Sequence, residues 1–232
     1  MNSNEMKTGR MTEEERLIDQ DRRFKLIQAF KRHTDALHYF CLNTGFIDGR
    51  SSSMESIGSC IDEFHRCLNR YGKIITTGIG KAGIAMRKFS STLCSLGFPS
   101  CYLHPGEASH GDLGLITEND ILFVASTSGK TREILEIIKL ARHVNVSKII
   151  GITSHIDSPI KAQADIVIDM GVIEEAGELG LAPTTSIIVM LAITDCIALI
   201  ASEELGLTKE DYGRFHHGGY LGAVARGDGK VR

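Results

Sequence analysis

Between residues 73 and 169, short apolar runs alternate with stretches of helical periodicity, and no other feature limits the fold as tightly. Lys73–Thr77, Ser100–Leu103, Ile121–Ser126, Lys148–Thr153 and Ile166–Asp169 have the length and β-branched content of strands. Gly83–Leu96, Thr131–Val144 and Pro159–Ala164 lie between them and read as helices. Ile134, Ile137, Ile138 and Ala141 fall at the i, i+3, i+4, i+7 positions of one helix face. Strands joined through helices run parallel, because each crossover returns the chain to the same edge. The expectation is an α/β fold, a five-stranded parallel doubly wound sheet with an N-terminal helical extension. The extension comprises residues 21–47, with Phe24, Ile27 and Phe30, and 53–70, with Ile57, Ile61, Phe64 and Leu68. Gly45 to Ser53 separates the two. Pro183 suits a first helical position and opens a long apolar helix to about Leu205. The glycine-rich tail after Gly218 has no helix or strand pattern. The chain therefore divides into a flexible segment 1–20, one domain 21–222 and a flexible tail 223–232.

Twenty-six Lys and Arg against 29 Asp and Glu give a net charge of −3, with no basic run. That balance argues against a nucleic-acid partner. The polar stretch Met1–Gln20 is neither a signal peptide nor an anchor. The longest apolar stretch, Ile187–Ala201, holds Asp195 and is read as a core helix too short to span a bilayer. The six cysteines (41, 60, 67, 94, 101 and 196) form no C-x-x-C pair and fit reduced packing residues of a cytoplasmic protein.

Two turns carry chemistry. The first strand runs into Gly78-Ile79-Gly80-Lys81-Ala82-Gly83. The third runs into Ser126-Thr127-Ser128-Gly129-Lys130-Thr131-Arg132-Glu133. Small turns at helix starts let backbone N–H groups approach an anion, and the helix dipole favours it. Hydroxyls at Ser126, Ser128 and Thr131 add donors, so the pair suits a sugar phosphate. Two nucleotide readings fail. Gly78, Gly80 and Gly83 match G-x-G-x-x-G, but the second strand ends at Leu103-His104 with no ribose-binding acid. Gly129-Lys130-Thr131 looks like the end of a P-loop, yet its first glycine would fall on Val124 inside a strand. The bland alternative is two tight turns without a ligand.

His104-Pro105-Gly106-Glu107-Ala108-Ser109-His110-Gly111-Asp112 places two histidines and two acids within nine residues. His104 and His110 could ligate a metal. The favoured reading is a loop for sugar hydroxyls and subunit contact, with no metal and no cofactor. Glu174-Glu175 precedes the long helix, where acids often only compensate the dipole; the same holds for Glu133. His216-His217-Gly218-Gly219 forms a turn that could set an imidazole over a pocket.

From about Ile57 to Gly222 the chain resembles the sugar isomerase (SIS) domain of bacterial D-arabinose 5-phosphate isomerases, a flavodoxin-like fold. The resemblance rests on G-I-G-K-A-G, H-P-G-E-A-S-H-G-D-L-G, the S-T-S-G turn followed by Glu133, L-G-L-A-P-T-T-S and H-H-G-G-Y-L-G. It implies interconversion of D-ribulose 5-phosphate and D-arabinose 5-phosphate, feeding Kdo synthesis for lipopolysaccharide or capsule. It also implies a homotetramer in which neighbouring subunits complete each site. Lys81, Glu133, Glu175 and His216 carry over as catalytic positions. Gly80, Ser126, Ser128, Thr131, His104, Glu107 and His110 are assigned to substrate binding.

An enediol(ate) route needs a base at C1/C2, a donor to the carbonyl oxygen and a ring opener. Glu175 is assigned as base, Lys81 as stabiliser of developing charge, and His216 as ring opener, with His104 and His110 competing for that role. Glu133 orients Lys81 or a sugar hydroxyl. The chain departs from the family at Lys130, often an acid, at His217, usually a proline, and at Gly177-Glu178, usually Cys-Pro. Many members continue into two CBS domains after the last motif. This chain shows no such pair, so the expectation is that nucleotide regulation through such domains is absent and any feedback acts on the isomerase domain itself. The anionic nucleotide sugar CMP-Kdo is the expected competitive inhibitor, and the alternative is an unregulated isomerase. The rival functions are isomerisation of another phosphosugar and non-catalytic phosphosugar sensing.

Overall fold

The computed structural model describes residues 12–43 and 52–227. Two helices come first, α1 (Glu13–Asn43) and α2 (Ser52–Asn69). Strands and helices then alternate: β1 (Ile74–Gly78), α3 (Gly80–Ser95), β2 (Ser100–Tyr102), α4 (Pro105–Ala108), a 3-10 turn at Asp112–Leu115, β3 (Ile121–Ala125), α5 (Arg132–His143), β4 (Lys148–Thr153), α6 (Pro159–Gln163) and β5 (Ile166–Asp169). Helices α7 (Thr185–Leu205), α8 (Lys209–Phe215) and α9 (Gly219–Ala225) complete the described chain.

All five strands pair in parallel in the order β2-β1-β3-β4-β5, the doubly wound sheet expected from the alternation. Strands β1 and β3 are buried along their whole length, which is why β3 reads as a continuous apolar run. Their side chains alternate between two cores. Ile74, Ile121, Phe123, Ile150 and Ile152 pack with α2, α3 and α7 around Phe64, Phe89 and Phe98. Ile75, Leu122, Val124 and Ile149 pack on the other face against Ile134, Ile137, Ile138 and Ala141 of α5.

Four expectations are corrected by the structure, three of them at element ends. Helix α1 begins at Glu13, within the segment 1–20 expected to be flexible. Thr12 starts it with reciprocal bonds: Thr12 N–H donates to Glu15 Oε2 at 2.7 Å, and Glu15 N–H donates to Thr12 Oγ1 at 3.2 Å. Helix α3 begins at Gly80 rather than Gly83, so Lys81 sits in its first turn. Helix α9 occupies part of the tail expected to be patternless and runs past residue 222. It is held from α8, as Arg226 Nη1 donates to the carbonyls of His216 and His217 at 3.3 and 3.2 Å. The residues from Gly45 to Ser51 in the expected break, and 228–232 of the tail, lie outside the described residues.

The fourth concerns α7. With 21 residues it is, by length and composition, long enough to cross a bilayer, against the expectation from Ile187–Ala201. It packs as a core helix, with Val189, Met190, Ile193, Ile197, Ala198 and Ala201 buried. Only the last third of α1 reaches that core, through Ala36, Leu37 and Phe40. Phe24, Ile27 and Phe30 stay 61%, 63% and 70% exposed.

Candidate active site

The chain leaves β1 toward β2 on one side and reaches β3 on the other, which opens a crevice at their carboxyl ends. A cavity of about 390 Å³ lies there, lined by Ile79–Ala82, Ala125–Ser128, Thr131, Pro183 and Ile187. Two turns far apart in the sequence thus face one space. A larger cavity, about 720 Å³, opens at the opposite edge around Tyr71, Lys73 and Asp120. Two of its charged residues are already paired, Lys73 Nζ donating to Asp120 Oδ2 at 2.7 Å, and no phosphate-binding turn faces it. The carboxyl-edge cavity is therefore the candidate site.

Three helices start around it. The first-turn amides of α3 and α5 have no intrahelical acceptor and bring partial positive charge to the cavity. Lys81 is exposed and forms no ion pair among the described residues. In the α5 turn, Ser126 Oγ and Thr131 Oγ1 are 2.8 Å apart, and Gly129 N–H donates to Ser126 Oγ at 3.1 Å. Ser128 Oγ accepts from Lys130 N–H at 3.3 Å. Gly129 has φ +63, and a Cβ there would lie 1.9 Å from Ser158 Oγ and 2.4 Å from Ser158 Cβ. Only glycine fits this turn while Ser158 holds its place.

The third helix start, that of α7, already has its counter-charge. Glu175 Oε2 accepts from Thr184 N–H and Thr185 N–H at 2.8 Å and from Ser186 N–H at 3.3 Å. Thr184 Oγ1 approaches the same oxygen at 3.5 Å. Thr185 Oγ1 in turn accepts from Ala176 N–H at 3.1 Å and contacts His33 Nδ1 of α1 at 2.9 Å. Glu175 is half-buried, and it lines a separate cavity of about 590 Å³ between α1 and residues 175–178. The ion pairs Lys25–Glu178 and Arg32–Glu174 cross that gap.

The other expected residues do not line the crevice within one protomer. Glu133 is exposed in the first turn of α5. His104 caps α4, its Nδ1 accepting from Gly106 N–H at 3.2 Å, while Glu107 and His110 are exposed. Among the described residues no three His, Cys, Asp or Glu side chains converge as metal ligands. His216 ends α8, with its ring stacked on Tyr212 at 4.0 Å and Nδ1 donating to the Tyr212 carbonyl at 3.0 Å. That bond leaves Nε2 as the nitrogen open to a ligand. The neighbouring Phe215 reaches Gly97, just past the far end of α3 from Lys81. Sequence reasoning missed Pro183 and Ile187 as cavity walls, because only the sheet order brings the α7 start to this crevice.

The SIS domain family model matches residues 68–200. Arabinose 5-phosphate isomerase KdsD of Pseudomonas aeruginosa is 40% identical over 151 residues, 65% of this chain and 46% of that one. The chain spans about half the length of the curated relatives it matches. A solved Bacteroides fragilis protein, described as a candidate phosphosugar isomerase involved in capsule formation, is 36% identical with a TM-score of 0.74, covering 88% of this chain and 99% of that one. An E. coli CFT073 protein in complex with arabinose 5-phosphate is 30% identical with a TM-score of 0.75, covering 89% and 100%. The parallel sheet, the paired turns at its switch point and these matches agree: the chain belongs to the SIS domain family.

Proposed function

We propose that the protein is an aldose–ketose isomerase that interconverts D-ribulose 5-phosphate and D-arabinose 5-phosphate. The observation that carries this reading is the convergence of Lys81 and the Ser126–Thr131 turn on one crevice, in a chain similar to named arabinose 5-phosphate isomerases. The phosphate is held by amides of the α3 and α5 starts and by the hydroxyls of Ser126, Ser128 and Thr131. The sugar then extends toward Pro183 and Glu175.

Glu175 takes the proton from one of C1 and C2 and returns it to the other. Its capping bonds all fall on Oε2, so Oε1 is the oxygen offered to substrate. Lys81 stabilises the charge that develops on the enediolate oxygen. His216, through Nε2, opens the aldose ring, and its position beyond the far end of α3 supports a role in a neighbouring subunit's site. His104, Glu107, His110 and Glu133 contact sugar hydroxyls. A second copy of the chain covers the exposed apolar face of α1, within a dimer or tetramer. CMP-Kdo, which carries a carboxylate and a phosphodiester, competes for the same cationic crevice.

Incubation with ribulose 5-phosphate and detection of arabinose 5-phosphate tests the reading. Product should form with chelator present, since enediol chemistry needs only acids and bases. Absence of product, with phosphate binding retained, would point to another phosphosugar.

A further inference from the structure

We propose that His155 is a positioning residue for the substrate phosphate, acting through the Thr127–Ser128 peptide; the inference rests on the phosphate lying at the Ser126–Thr131 turn. Three donors from the end of β4 and the two residues after it converge on the Thr127 carbonyl: Ser154 N–H at 3.0 Å, Thr153 Oγ1 at 3.2 Å and His155 Nδ1 at 3.1 Å. A carbonyl only accepts, so Nδ1 carries the hydrogen in that contact. The backbone N–H of His155 donates to Thr153 Oγ1 at 3.2 Å, which fixes the side chain's root.

In a trans peptide the C=O and the following N–H point in opposite directions. Anchoring the Thr127 carbonyl toward β4 therefore turns the Ser128 N–H the other way, toward the crevice that Thr127 and Ser128 line. That N–H has no acceptor among the described residues. Were the peptide to rotate, a carbonyl oxygen would face the anion in place of a donor. The same segment also packs against the turn two residues on, because Ser158 lies where a Cβ on Gly129 would sit. The β4–α6 segment is thus a backstop to the turn. Within it, His155 supplies the only one of the three donors that is an exposed side chain, and so the one that can be changed with least effect on the fold.

The test compares His155→Phe, which keeps a ring and loses the donor, with His155→Asn, whose side-chain amide can again donate at about the Nδ1 position. The readouts are kcat and KM for ribulose 5-phosphate, the dissociation constant of inorganic phosphate and the melting temperature. In His155→Phe, KM and the phosphate dissociation constant should both rise about three- to ten-fold, the range expected for one lost hydrogen bond. The kcat and the melting temperature should hold, and His155→Asn should recover most of the affinity. Unchanged phosphate affinity in His155→Phe overturns the proposal, as does an equal loss in the Asn variant. Ser128→Ala and Thr131→Ala separate the two levels of the argument. If they weaken phosphate binding and His155→Phe does not, this inference alone fails. If neither they nor His155→Phe alter it, the phosphate lies elsewhere and the underlying placement fails too.

Discussion

Glu175 closes the amino terminus of α7 by accepting the Thr185 N–H on Oε2 at 2.8 Å. A group that could have been only dipole compensation is therefore both a structural cap and the proposed base, with one carboxylate oxygen for each task.

This division makes Glu175→Gln informative. Glutamine keeps a carbonyl oxygen to accept the capping bonds and loses the basic one. The kcat should fall on the order of 10²–10⁴-fold, while substrate affinity and melting temperature stay near wild type. Glu175→Ala should add a loss of stability of about 1 kcal/mol, as for other lost caps. Steady-state kinetics and thermal melts distinguish the two. Normal kcat in the Gln variant would move the base elsewhere, with Glu133 next in line.

The phosphate turn gives a prediction in affinity. Ser126 Oγ and Thr131 Oγ1 are already 2.8 Å apart, so Thr131→Ala removes a ligand donor and loosens Ser126 together. Ser128→Ala removes one donor only. Each should weaken phosphosugar binding, by roughly 1.5–3 kcal/mol for a hydrogen bond to a charged group. Calorimetric titration with arabinose 5-phosphate measures it.

Gly80 and Gly129 provide a matched pair. Both have positive φ, +60 and +63, but nothing lies within 4 Å of a Cβ on Gly80. Gly80→Ala should therefore cost only the backbone strain of about 1–2 kcal/mol. Gly129→Ala adds a collision with Ser158 and should be the more destabilised in urea melts, with phosphate binding lost as the turn shifts.

Acid stability should depend on Asp120. Burial opposes its ionisation, but donors from Lys73 Nζ, Lys73 N–H and Thr117 N–H outweigh burial and hold the carboxyl below the usual 3.8. A lowered folded-state pKa means that the pair's stabilisation is complete above the unfolded value and lost as pH falls through the folded one. Unfolding free energy should thus drop below about pH 4, and Asp120→Asn should flatten that part of the curve while lowering stability at neutral pH.

Shared sites should show in complementation. Lys81→Ala and His216→Ala should each be inactive alone. Mixed after dissociation and reassembly, they should regain activity if His216 serves a neighbour's crevice. No recovery, with mixed oligomers verified by mass spectrometry, would return His216 to its own protomer or remove it from the reaction.

The strands were legible because a parallel sheet buries both faces, so Ile121–Ala125 reads as one apolar run with turns on either side. The turns that bring Lys81, Ser126, Ser128 and Thr131 to one crevice were legible for a related reason: each is local and follows its strand directly. Helix boundaries set by small capping features were not, as at Thr12–Glu15. Helix α9 was hidden because Gly219 and Gly222 disfavour a helix that α8 and Arg226 nonetheless support. The role of residues 153–158 was out of reach for a different reason. Placing β4 beside β3 is a property of strand order, and no local pattern near Thr153 announces which turn it will support.

The cradle proposed at the β1/β3 crevice draws in part on main-chain amides of the α3 and α5 starts, and this has an evolutionary reading. A point substitution replaces side chains and leaves peptide groups in place, so the amide share of the proposed phosphate grip is insulated from most mutational drift, while the hydroxyls of Ser128 and Thr131 are not. The parts that would meet the sugar's head, residues 104–112, 174–183 and 216–217, sit on separate segments, and most of their residues are exposed. Sequence change can accumulate there without loosening the anchor. A lineage built this way can exchange one phosphorylated sugar for another in small steps, each intermediate still holding its substrate.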